Sequence, residues 1–170
     1  DYPPPPPVDP AAPAARRPCL EGIFGNPSST HRQGVRARQA IETARRQVAE
    51  AIAARPEEIV FTSGGTESNN HAIKGVALAA RTRGRHIVTS AIEHPAVGEV
   101  CDWLSGLGFR ITRVGVDAHG LVDPDELERA LEADTVLVTI MHANNEVGTI
   151  QPIAEISRIA RARAILEISA

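Results

Sequence analysis

Apolar side chains recur at near-helical spacing at Val35, Ile41, Ala44, Val48, Ala51 and Ile52, with Arg38, Glu42, Arg45, Arg46 and Glu50 between them. This pattern predicts a helix that follows the turn cluster Gly25-Asn26-Pro27-Ser28-Ser29 and runs to about Ala53, with the charged side chains on its wet face. Beyond it, short β-branched runs alternate with amphipathic stretches. Strands are expected at Ile59-Thr62, His86-Ser90, Arg110-Val114 and Thr135-Met141, and helices at about Thr66-Ala80, Pro95-Leu107, Pro124-Leu131 and Ile153-Arg163. Such alternation is the signature of βαβ units, so the fold class is α/β with a mainly parallel sheet and flanking helices. Asp123 before Pro124 suits an N-cap followed by proline at the first helical position, and Gly106 and Gly108 punctuate the end of the preceding helix.

The N-terminal stretch is different. Pro3 to Pro7 lack amide hydrogens and have φ fixed by the ring, which predicts a stiff polyproline tail, with a short helix around Ala11 to Arg17 after it. No internal repeat or interdomain linker is evident, so the chain divides into a proline-rich segment, 1–24, and an α/β domain, 25–170. The 170 residues are 42% hydrophobic and 23% charged, enough to build a core. A net charge of -3, a pI near 6.1 and arginines scattered along the chain give no electrostatic footprint for nucleic acid or an anionic membrane. No apolar run approaches the roughly 20 residues of a membrane span, and the first residues lack the blocks of a signal peptide, so a cytoplasmic location is expected. Cys19 and Cys101 fit neither a disulfide framework nor a zinc site and read as reduced thiols, and no metal is expected. Lysine occurs once, at Lys74.

In open α/β sheets ligands collect beyond the carboxyl ends of the strands, and three segments there carry usable chemistry. Ser63-Gly64-Gly65-Thr66 leads into a helix, whose free amides and positive dipole end suit a phosphate, with the Thr66 hydroxyl as a further donor. A Gly-Gly turn before a helix is on its own more often just a turn, and the absence of a following lysine excludes a Walker loop. Glu93-His94-Pro95 places an imidazole at the same edge, able to stack on a flat ring or move a proton, or simply to cap the next helix. His142-Ala143-Asn144-Asn145-Glu146-Val147-Gly148 offers an amide donor, or an ordinary Asn/Gly turn. A phosphate cradle, a ring-stacking group and an amide at successive strand ends together suit a phosphorylated aromatic cofactor.

Four motifs carry a resemblance: Gly25-Asn26-Pro27-Ser28-Ser29-Thr30-His31, the run FTSGGTESNN from Phe61 to Asn70, the Glu93-His94 pair, and MHANNEVGTIQP from Met141 to Pro152. The chain resembles the class V aminotransferases over nearly its whole length, and within them the cysteine desulfurases, with selenocysteine lyases close behind. The resemblance implies part of the large domain of the pyridoxal-phosphate-dependent transferase fold type I, with pyridoxal 5'-phosphate as cofactor. Residue by residue, it implies that Gly65 and Thr66 contact the cofactor phosphate. His94 would lie against the pyridine ring and act catalytically in proton transfer, and Asn145 would bond the phenolic oxygen. The implied reaction converts L-cysteine to L-alanine and passes the sulfur to an enzyme cysteine. A sulfur-acceptor protein and a homodimer of the full-length enzyme are the implied partners.

The departures shape a further expectation. In the family the strand matching Ile165-Ala170 leads to an aspartate for the pyridinium nitrogen, followed later by the Schiff-base lysine and the sulfur-accepting cysteine, none of which these residues supply. The family's N-terminal D-x-x-A-T-T-P-like segment is also altered here by prolines. Lys74 is expected to be solvated and to point away from the strand ends, and Cys101 to be core. An N-terminal part of a desulfurase, inactive as an isolated chain, is therefore the leading expectation. The alternatives are a selenocysteine lyase or other class V member, and a non-catalytic remnant.

Overall fold

The computed structural model describes residues 7–169, so Pro3 to Pro6 of the proline run lie outside the described residues. The chain divides into two compact units, one up to Phe61 and one from Thr62.

The first unit holds helix α1 (Ala11–Glu21), longer than expected, and α2 (Arg32–Ala51), followed by a 3-10 turn at Pro56–Glu58. Helix α2 begins at His31, whose Nδ1 accepts the Gly34 amide at 3.3 Å. Its buried residues are Gly34, Ala37 and Ala49, whereas Val35, Val48 and Ile52 are 39%, 40% and 65% exposed, so the face expected from the aliphatic spacing is only partly the buried one. At Gly34 the preceding loop presses its backbone onto the first turn and leaves no room for a side chain. A Cβ on Gly34 would lie 2.5 Å from the Ser29 carbonyl oxygen and 2.6 Å from that of Asn26.

No strand forms at Ile59-Thr62, which corrects the sequence expectation. The β-branched run has the propensity but not the partner: a strand persists only where its backbone groups find a ladder. Here the Arg45 guanidinium, expected on the wet face, is half-buried, donates to the Ile59 carbonyl, and stands 5.1 Å from the Phe61 ring centroid.

The second unit is a parallel sheet with helices on both faces. In chain order it runs α3 (Gly65–Ala80), β1 (His86–Ser90), α4 (Pro95–Gly106), β2 (Arg110–Val114), α5 (Pro124–Ala130), β3 (Thr135–Ile140), α6 (Ile153–Ala162) and β4 (Leu166–Ser169). The strand order is β2-β1-β3-β4, every pair parallel. Central strands β1 and β3 are buried at every position, β3 as a continuous apolar and β-branched run and β1 with polar His86 and Ser90 at its ends, while β2 and β4 are partly exposed edges among the described residues. Successive side chains face opposite ways. Ile87 and Leu137 join Ile73, Ala77, Val97, Cys101 and Leu104 of α3 and α4 in one core, and Val88, Val138 and Ile140 join Leu127, Ile156 and Ile159 of α5 and α6 in the other. Asp123 caps α5 by accepting the Asp125 amide at 2.9 Å with Pro124 behind it. Among the described residues no helix is long and apolar enough to cross a membrane.

The amino end of this sheet carries a buried imidazole. His86 is fully buried, with Nδ1 2.7 Å from Thr135 Oγ1 on β3 and Nε2 2.8 Å from Thr112 Oγ1 on β2. Burial lowers its pKa, opposed by Glu132, assisted by Arg110 and opposed by Asp134. The unfolded chain therefore takes up a proton near pH 6.5 while the folded ring stays neutral, so the stability this ring contributes is present above about pH 6.5 and lost as the pH falls toward the lower folded value. Thermal unfolding at pH 7.5 and 5.5 should show a larger acid loss for the native chain than for His86→Gln. At pH 7.5 that variant should be less stable by roughly 1–3 kcal/mol, from bonds it cannot fully replace.

Candidate active site

The chain leaves β1 for β2 on one side, then crosses back to β3 on the other, so its direction reverses between β1 and β3. At such a switch point the connections diverge and leave a crevice beyond the carboxyl ends of the two strands. A cavity of about 780 Å³ lies here, lined by Ile92-Glu93-His94-Pro95 after β1, Asn144-Asn145-Glu146-Val147 and Thr149 after β3, and Ala118-His119-Gly120. A second hollow of about 540 Å³ is lined by Thr66, Asn70 and Lys74 of α3 and by His94, Pro95, Glu99 and Trp103 of α4. His94 belongs to both.

His94 is the N-cap of α4, with Pro95 at the first helical position. Its Nδ1 accepts the Ala96 amide at 3.0 Å, which assigns the proton of a neutral ring to Nε2. The ring is exposed, so capping and cavity lining are compatible functions of one side chain. Thr66 stands in the first turn of α3. The Glu67 carboxylate takes the Ser63 amide and hydroxyl, each at 2.6 Å, while the N-cap, Gly64, has no side chain to accept a first-turn amide. The Ser63 bonds lower the Glu67 pKa and keep it anionic. A Cβ placed on Gly65 would meet nothing within 4 Å, so open space stands over the first turn of α3. Gly65 itself lines neither hollow, and the structure brings Thr66 to His94, and His94 to Asn145, through two adjoining spaces.

Asn145 is exposed on the cavity rim, and its neighbour does the structural work. Asn144 Oδ1 accepts the Glu146 and Val147 amides at 2.9 and 3.0 Å, and its Nδ2 donates to the Ile92 carbonyl at 3.3 Å, tying the β3 loop to the β1 loop. Glu93 makes a second tie: Oε1 accepts the Ser90 hydroxyl at 2.6 Å and the Met141 amide at 2.9 Å. On the third wall the Gln151 side chain spans from the Val122 amide, 2.9 Å, to the Gly120 carbonyl, 2.6 Å, and Thr149 Oγ1 donates to His119 O at 2.6 Å. The motif reading singled out Asn145 and missed Asn144, although an Asn followed by residues whose amides turn back is the Asx-turn signature. Nothing in the local sequence signals that Gln151 reaches 29 residues back to Val122.

The single lysine is a correction. Lys74 is half-buried with its Nζ 4.4 Å from the Trp103 ring centroid, and it lines the same hollow as Thr66 and His94 rather than pointing away into solvent. A helix places residues four apart on one face, which puts Thr66, Asn70 and Lys74 in a row against α4. Cys101 is core, as expected, and burial pushes its thiol up to about 11. Iodoacetamide at pH 8 should therefore alkylate exposed Cys19 in the native chain and reach Cys101 only after denaturation, with mass spectrometry of the two peptides as the readout.

The family profile described as aminotransferase class-V matches residues 5–168. A protein named cysteine desulfurase IscS from Dictyoglomus turgidum is 59% identical over 147 residues, which are 86% of this chain and 37% of that protein. A solved structure titled NifS-like protein superposes with a TM-score of 0.90 at 41% identity, covering 95% of this chain and 45% of that one. Another, titled SspA in complex with cysteine, gives a TM-score of 0.89 at 39% identity, over 96% of this chain and 47% of that one. The chain spans 36–42% of the length of these and similar curated relatives. The sheet and its flanking helices thus match part of the fold of the NifS-like proteins, and the chain belongs to the aminotransferase class-V family.

Proposed function

We propose that this chain supplies the phosphate turn, the ring-facing histidine and the amide loop of a pyridoxal-phosphate-dependent cysteine desulfurase. The observation that carries the reading is His94: at the switch point of the sheet, one imidazole lines both the hollow containing Thr66 and the cavity containing Asn145. The family implies pyridoxal 5'-phosphate, and the residues present fit it. The cavity volume falls in the range of small-molecule and cofactor sites. The uncapped first turn of α3, with open space over Gly65, suits a phosphate dianion.

In this reading the Gly65 and Thr66 amides and the Thr66 hydroxyl hold the phosphate. His94, with Nδ1 engaged by Ala96, presents its Nε2 proton and ring face to the ligand, and Asn145 donates its amide to the phenolic oxygen. The bound cofactor would serve as an electron sink for the substrate amino acid. Cysteine as substrate follows from the desulfurase relatives, and a related protein has been solved with cysteine bound. A sulfur-acceptor protein, a homodimer of the full-length enzyme and a cytoplasmic location belong to the same proposal.

Titrating the isotopically labelled chain with pyridoxal 5'-phosphate, followed by NMR, tests the reading. Saturable shifts are expected at the Gly65 and Thr66 amides, the His94 ring and the Asn145 side-chain amide. His94→Ala should weaken binding roughly 2–10-fold, the value of an aromatic contact. Shifts confined elsewhere, or unchanged binding by the variant, would contradict it.

A further inference from the structure

One half-buried acid has no part in the proposed function. Glu93 adjoins His94, and both side chains line the cavity at the switch point. Its Oε1 accepts two bonds from different strand ends: the Ser90 hydroxyl at 2.6 Å, at the last residue of β1, and the Met141 amide at 2.9 Å, one residue past β3. Ser90 is 2% exposed and Met141 5%, so this joint lies inside the protein. The other oxygen, Oε2, is buried with no hydrogen-bond partner among the described residues. Such an arrangement is costly for a carboxylate, which can accept at both oxygens, and it persists only where the geometry is useful.

We propose that Glu93 is a positioning residue, its side chain fastening the end of β1 to the start of the Met141–Gln151 loop so that His94 and Asn145 face each other across the cavity at a fixed separation.

Two features support this. Backbone pairing between β1 and β3 ends at Thr89 opposite Thr139, and beyond that point side-chain hydrogen bonds join the two loops among the described residues. The second fastening, from Asn144 Nδ2 to the Ile92 carbonyl, is longer at 3.3 Å and joins the same two loops further out. Removing Glu93 would leave that bond as the remaining tie on this side of the cavity among the described residues. The ionisation of Glu93 bears on the same joint. Burial raises its pKa, opposed by the bonds from Ser90 and Met141, and the other titratable groups lining the cavity are His94, His119 and Glu146. With a proton on Oε2, Oε1 still accepts both bonds, so the fastening survives protonation. Glutamine has the same shape, with a carbonyl oxygen for Oε1 and an amide for Oε2.

The inference rests on the proposed function only for what the two held groups are for, and the fastening is measured without any ligand. Amide hydrogen exchange and NMR of the 170-residue chain, its Glu93→Ala and its Glu93→Gln variants provide the test. In Glu93→Ala the Met141 amide should exchange at least about tenfold faster and the His94 and Asn145 signals should shift. Val88 and Val138, in the middle of the sheet, should keep their protection. Glu93→Gln should return Met141 to within about threefold of the native rate. The native Met141 amide proton shift should follow pH with a midpoint above the ordinary glutamate value, and the Gln variant should show no such titration. If Glu93→Ala does not fold, the Gln comparison and its pH profile decide alone. The proposal is overturned by a protected Met141 in the Ala variant, by equal acceleration at Val88, by failure of Gln to restore protection, or by a Met141 shift indifferent to pH. Failure of pyridoxal 5'-phosphate to bind, with Met141 behaving as expected, would remove the functional reading and leave the fastening in place.

Discussion

The reversal of chain direction between β1 and β3 is the constraint on which the rest of the second unit depends. Two strands buried on both faces can extend no polar backbone into their flanking cores, so everything chemical is pushed to the strand ends. Because β1 connects outward to β2 and β3 outward to β4, the loops at their carboxyl ends part and leave space instead of closing over one another. His94 and Asn145 are cavity residues because of this topology, with the first turn of α3 adjoining through Thr66. Any chain with the same strand order would open a crevice there, and what this chain adds is the identity of the side chains around it.

Those side chains are held by a small set of polar ties between loops. Asn144, Glu93, Gln151 and Thr149 each bond a backbone group in another loop, so the cavity wall is built from backbone kept in place by side chains. The groups expected to meet a ligand, by contrast, are lightly engaged. Asn145 stands exposed, His94 commits one nitrogen, and the first turn of α3 keeps open space above Gly65. Rigid support beneath exposed donors is the arrangement that lets a site bind without reorganising.

Much of this was legible in the residues. Three strands begin where the sequence places them, at His86, Arg110 and Thr135, because each is a short run rich in β-branched residues bounded by turn residues. The pattern misled where a partner decides the outcome. Ile59-Thr62 has the composition of a strand but no ladder, and α2 buries Gly34, Ala37 and Ala49 while Val35, Val48 and Ile52 stay partly outside. Long-range ties were invisible: nothing near Glu93 in sequence announces Met141, and nothing near Lys74 announces Trp103. Motifs located the cavity because they mark strand ends. They picked Asn145 over Asn144 because a motif records which residues recur, without saying which one carries the loop.

A crystal structure of the chain with pyridoxal 5'-phosphate tests the central claim most directly. The phosphate is expected on the amides at the start of α3 and the pyridine ring against the His94 imidazole, with Asn145 within hydrogen-bonding distance of the phenolic oxygen. An imidazole turned out of the cavity, or a ligand bound away from the β1–β3 crevice, would contradict it.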